Sequence, residues 1–340
     1  MAATMRDVAA LAGVSLKTVS RVVNSEPHIR PETVARVRDA IASLGWVPNG
    51  SARALRTGRT GVIGIAVAGL RRPYLAALVE ALVTETDRRG LQAAVEPSHG
   101  DPARIRAVLD GRGPSYDGVV LIGDDGAGLP LDGALTDRPV VVVQGDDADA
   151  DLVLDDVASA MGMVTRHLAV LGRRRPLLLG GDRGADRGPR TPGALAEPGA
   201  VTRAALAAAG FGATVPVIRP DGEWDRGWGA AAAVAALAAH PGTDTLICVN
   251  DEVALGALSA LTARGVDVPG EVALLGYDNL DDGWFSTPSL TTVDPGPARL
   301  ARAALDLLAE RIAGTVPAVP RRVVLPVELV RRESTMGAPR

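Results

Sequence analysis

The sequence predicts a small all-α helix-turn-helix head followed by an α/β core of two doubly wound parallel-sheet subdomains. Three observations predict it. Helically spaced apolar residues fill the first sixty positions, short continuous apolar runs alternate with amphipathic helices after Thr60, and the sign of the charge reverses at the same place. Residues 1–60 carry nine basic side chains (Arg6, Lys17, Arg21, Arg30, Arg36, Arg38, Arg53, Arg56, Arg59) against Asp7, Glu26, Glu32 and Asp39, a net +5, while the remainder is −9. A basic head on an acidic body implies that only the head meets a polyanion, because the body would repel one.

In the head, Val8, Ala9, Leu11 and Ala12 lie at helical spacing and Gly13 breaks the helix. Ser15 can cap a second helix whose Val19, Val22 and Val23 share one face. Pro31 suits the first turn of a third, which runs through Val34, Val37, Ile41 and Leu44 to Gly45. Two short helices around a glycine turn, completed by a third, make a helix-turn-helix unit. With the valines turned inward, the second helix presents Leu16, Lys17, Ser20 and Arg21, with Ser15 and Thr18 at its start. Lys17 is the only lysine in 340 residues. At the start of a recognition helix it is placed to donate to guanine O6 and N7, and Leu16 to meet a thymine methyl.

Over these residues the chain resembles a known family. "MRDVAALAGVSLKTVSRVVN" and "RPETVARVRDAIASLGWVPNGSARALRTG" closely resemble the headpiece of the lactose/galactose repressor (LacI/GalR) family of bacterial transcription regulators. With that resemblance the candidate DNA-contacting set is Thr4, Ser15, Leu16, Lys17, Thr18, Ser20, Arg21, Asn24, His28, Asn49, Ala52, Leu55 and Arg56. Asn49 can cap a short helix over 51–57 that Gly58 ends; about two turns are marginal alone, so it should order only on a partner. In the family this hinge helix enters the minor groove, where Leu55 matches the wedging leucine and Ala52 and Arg56 flank it. One departure is Arg30, which stands where relatives place a capping Ser or Thr.

Beyond Thr60, "GVIGIAVA", "LQAAVE", "DGVVLIG", "PVVVV", "RPLLLGG", "TVPVIR", "DTLICVN" and "VALLGYD" read as strands. Ala76–Arg89, Ala158–Leu171, Gly229–His240 and Glu252–Arg264 read as helices between them. This resembles the family's effector core, similar to the periplasmic sugar-binding proteins, with the ligand in a cleft at the strand C-termini. The resemblance implies a headpiece over 1–48, a hinge over 49–59 and a core over 60–340. Its N-subdomain would take about 60–155 and 291–318, and its C-subdomain about 156–290 and 319–333. Matching the family's ligand positions are Tyr74, Trp224, Asp251 and Asp278, aromatic and carboxylate groups suited to a small polar effector such as a sugar or a nucleoside- or purine-like molecule.

The clamp is incomplete. If Gly199 is the family's glycine, Ala196 replaces the usual arginine and Pro198 weakens the helix start; Arg183, Arg187 or Arg190 would have to compensate, and Arg190 completes the candidate ligand set. Pro295 stands where many relatives have glutamine.

Other chemistry is missing from the sequence. No nucleophile elbow, zinc-helix histidine pair or Cys-x-x-Cys occurs, and His28, His99, His167 and His240 are scattered. "DDADAD" begins like a calcium loop, but Leu152 and Ala158 occupy its sixth and twelfth positions. Neither an enzyme nor a cofactor or metal site is expected. Cys248 reads as a buried core thiol, and no apolar run reaches a membrane-spanning length, so a soluble cytoplasmic protein is expected. The expected partners are double-stranded operator DNA, a small-molecule effector and a second copy in a homodimer. Two alternatives stand beside this reading: a constitutive DNA-binding regulator with a vestigial core, and a solute-binding protein, which would leave the basic head unexplained.

Overall fold

The computed structural model describes residues 3–23, 26–46, 58–99, 101–110, 116–123, 138–145, 150–180, 198–211, 215–219, 224–317 and 319–337. Two compact units divide the chain, Met1–Gly61 and Val62–Arg340.

The first unit holds α1 (Met5–Ala12), α2 (Leu16–Val23) and α3 (Pro31–Leu44). Thr4 and Asp7 close a capping box on α1, and Gly13 ends it in the left-handed region at φ 63°, where a side chain would be strained. Ser15 Oγ accepts from the Thr18 backbone N–H at 3.1 Å, which starts α2. Arg30 gives α3 no capping side-chain bond, and Pro31 sits in its first turn. Val8, Ala9, Ala12, Val19, Val22, Val37, Ala40 and Trp46 form the core of the unit.

The second unit contains two six-stranded sheets. The first takes β1 (Val62–Val67), β2 (Gln92–Pro97), β3 (Gly118–Ile122), β4 (Val140–Val143), β5 (Asp151–Asp155) and β11 (Arg322–Leu325), in the order β11-β5-β4-β3-β1-β2. The second takes β6 (Pro176–Leu179), β7 (Val217–Ile218), β8 (Thr245–Cys248), β9 (Ala273–Tyr277), β10 (Thr291–Asp294) and β12 (Glu328–Val330), in the order β12-β10-β9-β8-β6-β7. Pairings are parallel except β10 with β12.

Each sheet is covered on both faces, as parallel sheets require. Ile63, Ile65 and Val67 face α4 (Pro73–Arg88) and α11 (Pro297–Ala313), while Ala66, Val119 and Leu121 face α5 (Pro102–Leu109). In the second sheet, Leu177, Leu246 and Leu274 pack on α8 (Arg226–Ala239) and α9 (Asp251–Thr262), while Leu178, Ile247 and Leu275 pack on α6 (Val157–Val170) and α7 (Pro198–Ala208). Two short helices complete the described elements, α10 (Asp281–Phe285) and α12 (Glu333–Met336). Cys248 is a buried free thiol in the second core.

The eight expected strands are present, and four more accompany them. β5 is masked in sequence by the acidic run before it. Its first residue, Asp151, is fully buried and accepts from Arg311 Nε and NH2 at 2.8 and 2.7 Å and from Arg321 N at 2.7 Å, so the carboxylate anchors β5 to α11 and β11. The sheets divide the chain differently from the expected subdomain limits: Thr291–Asp294 pairs with β9 and β12 in the second sheet, and Arg322–Leu325 pairs with β5 in the first. The helix expected in this stretch is α7, which begins at Pro198.

Glycine permits a close contact between α8 and α9. A Cβ on Gly256 of α9 would lie 2.0 Å from the Arg226 carbonyl oxygen, and one on Gly229 of α8 would lie 2.2 Å from that of Val253. The two backbones therefore touch where neither has a side chain.

Candidate functional site

The head presents one candidate surface. α2 buries Val19 and Val22 and turns Leu16 and Lys17 to solvent, with Thr18, Ser20 and Arg21 half-buried beside them. Ser15 and Thr18 hydroxyls lie 2.9 Å apart at the helix start. Thr4 is exposed but its hydroxyl donates to Asp7 Oδ2 at 2.7 Å, which also holds the Asp7 carboxyl below its usual range. His28 is exposed in the left-handed region at φ 66°. Asn24, Asn49, Ala52, Leu55 and Arg56 lie outside the described residues.

The second candidate surface lies at the C-terminal ends of the strands. Strand order reverses between β1 and β3 in one sheet and between β6 and β8 in the other, and at such switch points loops diverge and leave a crevice. Backbone strain collects at these strand ends. His99 after β2, Gln144 after β4, and Asp278 and Asn279 after β9 are the described non-glycine residues of the core at positive φ.

A hydrogen-bond chain runs between the two sheets. The Tyr74 hydroxyl, at the start of α4, donates to Gln144 Oε1 at 2.9 Å. Gln144 Nε2 donates to Asp155 Oδ1 at 2.9 Å, and the other Asp155 oxygen accepts from the Tyr277 hydroxyl at the end of β9. Burial, aided by Asp155, pushes the Tyr277 phenol well above its ordinary value, so it stays a donor.

Of the residues expected from sequence, Tyr74 takes part in this chain. Asp278 is half-buried beside Tyr277 at φ 117°, and its N–H donates to the Val293 carbonyl at 2.9 Å. Trp224, 8% exposed, packs with Leu179 and Ala233 in the second core. Asp251 is buried at the start of α9, where its oxygens accept from Leu280 N–H at 2.8 Å and Thr292 Oγ1 at 2.6 Å. Burial raises its carboxyl to about 7, and the Thr292 and Leu280 bonds oppose the rise. It holds the 278–280 loop rather than lining open space. Arg190 and the clamp positions Arg183, Arg187 and Ala196 lie outside the described residues.

Gln144, Asp155 and Tyr277 were missed in sequence. The signal was there, since each is the polar residue that ends an apolar strand run ("VVVVQ", "LVLD", "LLGY"). Beyond this loop, Arg332 NH2 donates to Asn279 Oδ1 at 2.7 Å and its guanidinium lies 5.1 Å from the Trp284 ring centre. Among the described residues no group of His, Cys, Asp or Glu could hold a metal ion, and no helix is long and apolar enough to cross a membrane.

A helix-turn-helix head with an exposed basic recognition face, followed along the chain by a core of two parallel sheets with polar groups converging between them, defines a DNA-binding regulator with a ligand-binding core. Residues 4–49 match the family of bacterial regulatory proteins, lacI family, and residues 165–335 match the periplasmic binding protein-like domain. The HTH-type transcriptional repressor PurR of Mannheimia succiniciproducens is 30% identical over 328 residues, 92% of each chain. A transcriptional regulator of the LacI family from Sanguibacter keddieii has 37% identity and a TM-score of 0.68 over 82% of this chain and 99% of its own. The Lac repressor dimer bound to operator and the anti-inducer ONPF has 26% identity and a TM-score of 0.76 over 98% of this chain and 99% of its own. The chain belongs to the LacI family of bacterial transcriptional regulators, which are not enzymes.

Proposed function

We propose that the chain is a cytoplasmic repressor that binds a near-palindromic operator as a homodimer and responds to a small polar effector held between the sheets of its core. The observation that carries the DNA reading is the exposure of Leu16 and Lys17 at the start of α2, over buried Val19 and Val22. Residues 1–48 act as the reading head, 49–59 as the hinge and 60–340 as the core. Leu55, flanked in the sequence by Ala52 and Arg56, wedges the minor groove at the operator centre. Dimerisation gives each half-site one head. Trp284 and Phe285, 62% and 82% exposed on α10, supply an apolar patch for the partner copy to cover.

The effector is a sugar or a nucleoside- or purine-like molecule. Tyr74, Trp224 and Asp278, with Arg190, approach it, and Asp251 acts indirectly by holding the 278–280 loop. An effector shifts the core only by the difference in its affinity for two arrangements of the sheets. A constitutive regulator with a vestigial core is the second reading. It is favoured by one observation: the Tyr74 hydroxyl and both Asp251 oxygens already have partners within the protein.

Selection of bound sites from randomised duplex DNA at fixed salt tests the first part. The expected product is a palindrome of two half-sites; no enriched motif, with or without cell extract, refutes it. Thermal shift against sugars, nucleosides and purines separates the two readings of the core, because a ligand at 100 times its Kd adds ~2.7 kcal/mol of stability. A flat response across a broad panel favours the vestigial core.

A further inference from the structure

We propose that Glu26 is a specificity-determining residue of DNA reading, acting by fixing which edge of the Arg21 guanidinium is offered to a base. The inference rests on the DNA-binding role of α2 proposed above. Arg21 lies four residues after Lys17, so the two side chains share one face of the helix. Just beyond the helix, residues 26 and 27 grip Arg21 three times. The Glu26 N–H donates to the Arg21 carbonyl at 3.0 Å, Arg21 Nε donates to Glu26 Oε2 at 3.0 Å, and Arg21 NH2 donates to the Pro27 carbonyl at 3.3 Å.

A guanidinium has two edges that can donate a parallel pair of N–H bonds, the Nε/NH2 side and the NH1/NH2 end. Glu26 and Pro27 occupy the side. The end remains for the bidentate contact that reads guanine O6 and N7. An arginine held this way loses less rotamer freedom on binding than one that is unrestrained, which favours the base it fits.

Stability does not explain the clasp. The Arg21 and Glu26 side chains are 39% and 46% exposed, and pairs this open to water add little to a fold. Electrostatics alone would disfavour it, since a carboxylate beside the recognition face repels every phosphate alike and lowers affinity for any DNA. Presenting Arg21 offsets that loss only if it improves discrimination.

The full chain carrying Glu26→Ala or Glu26→Gln tests this, against the operator obtained by selection and against a scrambled duplex, at fixed salt. Loss of the carboxylate should raise affinity for the scrambled duplex while affinity for the operator falls, shrinking their ratio by about tenfold. The Gln variant, which keeps an acceptor for Nε, should fall between the parent and Ala. Repeating the selection should show relaxed preference at one base pair per half-site, the same pair that Arg21→Ala relaxes, with nothing further lost in the double variant. If both affinities rise by one factor and the motif is unchanged, Glu26 is only a repelling charge and the proposal is overturned. If the parent chain selects no motif, the DNA-reading assignment itself falls and this proposal falls with it.

Discussion

Tyr277 and Asp155 join the two sheets of the core: a phenol at the end of β9 donates to a carboxylate at the end of β5, and Gln144 ties that carboxylate onward to Tyr74. The bond lies where the strand ends of both sheets meet, so it measures how closely they are held. Tyr277→Phe keeps the ring and removes the donor. It should destabilise the core by about 1.5–3 kcal/mol, the usual worth of a bond to a charged partner, and speed amide exchange at residues 277–280. An unchanged urea midpoint and exchange pattern would show that the bond contributes nothing to closure.

Asp251 gives stability an unusual pH dependence. Its carboxyl is raised by burial to about 7 from an ordinary 3.8, so the folded chain binds this proton more tightly than the unfolded chain does. The contribution is complete below the unfolded value and is lost as pH rises through about 7, at ~1.4 kcal/mol per unit. Asp251→Asn keeps an acceptor for the Leu280 N–H and cannot ionise. Its Tm should therefore fall less than the parent's when both are melted across the range from about pH 5 to about pH 8. Parallel curves would mean that Asp251 is ionised in the fold throughout.

The contact of α8 with α9 has no room for a methyl group. Gly256→Ala would place a carbon 2.0 Å from a backbone oxygen that cannot rotate away, so the helices must part. The expected cost is about 1–3 kcal/mol or more, read as a lower denaturation midpoint. Because α9 begins at Asp251, the same variant should also loosen the 278–280 loop, which amide exchange would register.

At the DNA surface, Lys17→Ala should relax base preference within each half-site by about 1–3 kcal/mol. A motif identical to the parent's in a randomised-site selection would remove Lys17 from the reading set. Leu55→Ala should reduce DNA bending and operator affinity while the helical spectrum of the head stays as it was. Equal bending in a circular-permutation gel would count against the wedge.

Where a property depends on neighbours in the chain, it was legible in the sequence. Val19 and Val22 recur at helical spacing, so the exposed face of α2, Lys17 included, followed directly. Continuous apolar runs identified β1, β3, β4, β6, β8 and β9 because strands buried on both faces need apolar residues at every position. Edge strands such as β11 lack that requirement, and β5 opens on an aspartate that Arg311 and Arg321, from distant parts of the chain, neutralise. The sequence by itself thus determined the head, the two-sheet class, the basic-to-acidic boundary and the family. Only the tertiary structure decided that Asp251 pins a loop, that Gln144, Asp155 and Tyr277 converge, and that Glu26 grips Arg21. Local periodicity records which side of an element faces a core, whereas a site is assembled from strand ends far apart in the chain, and no single stretch of residues encodes their meeting.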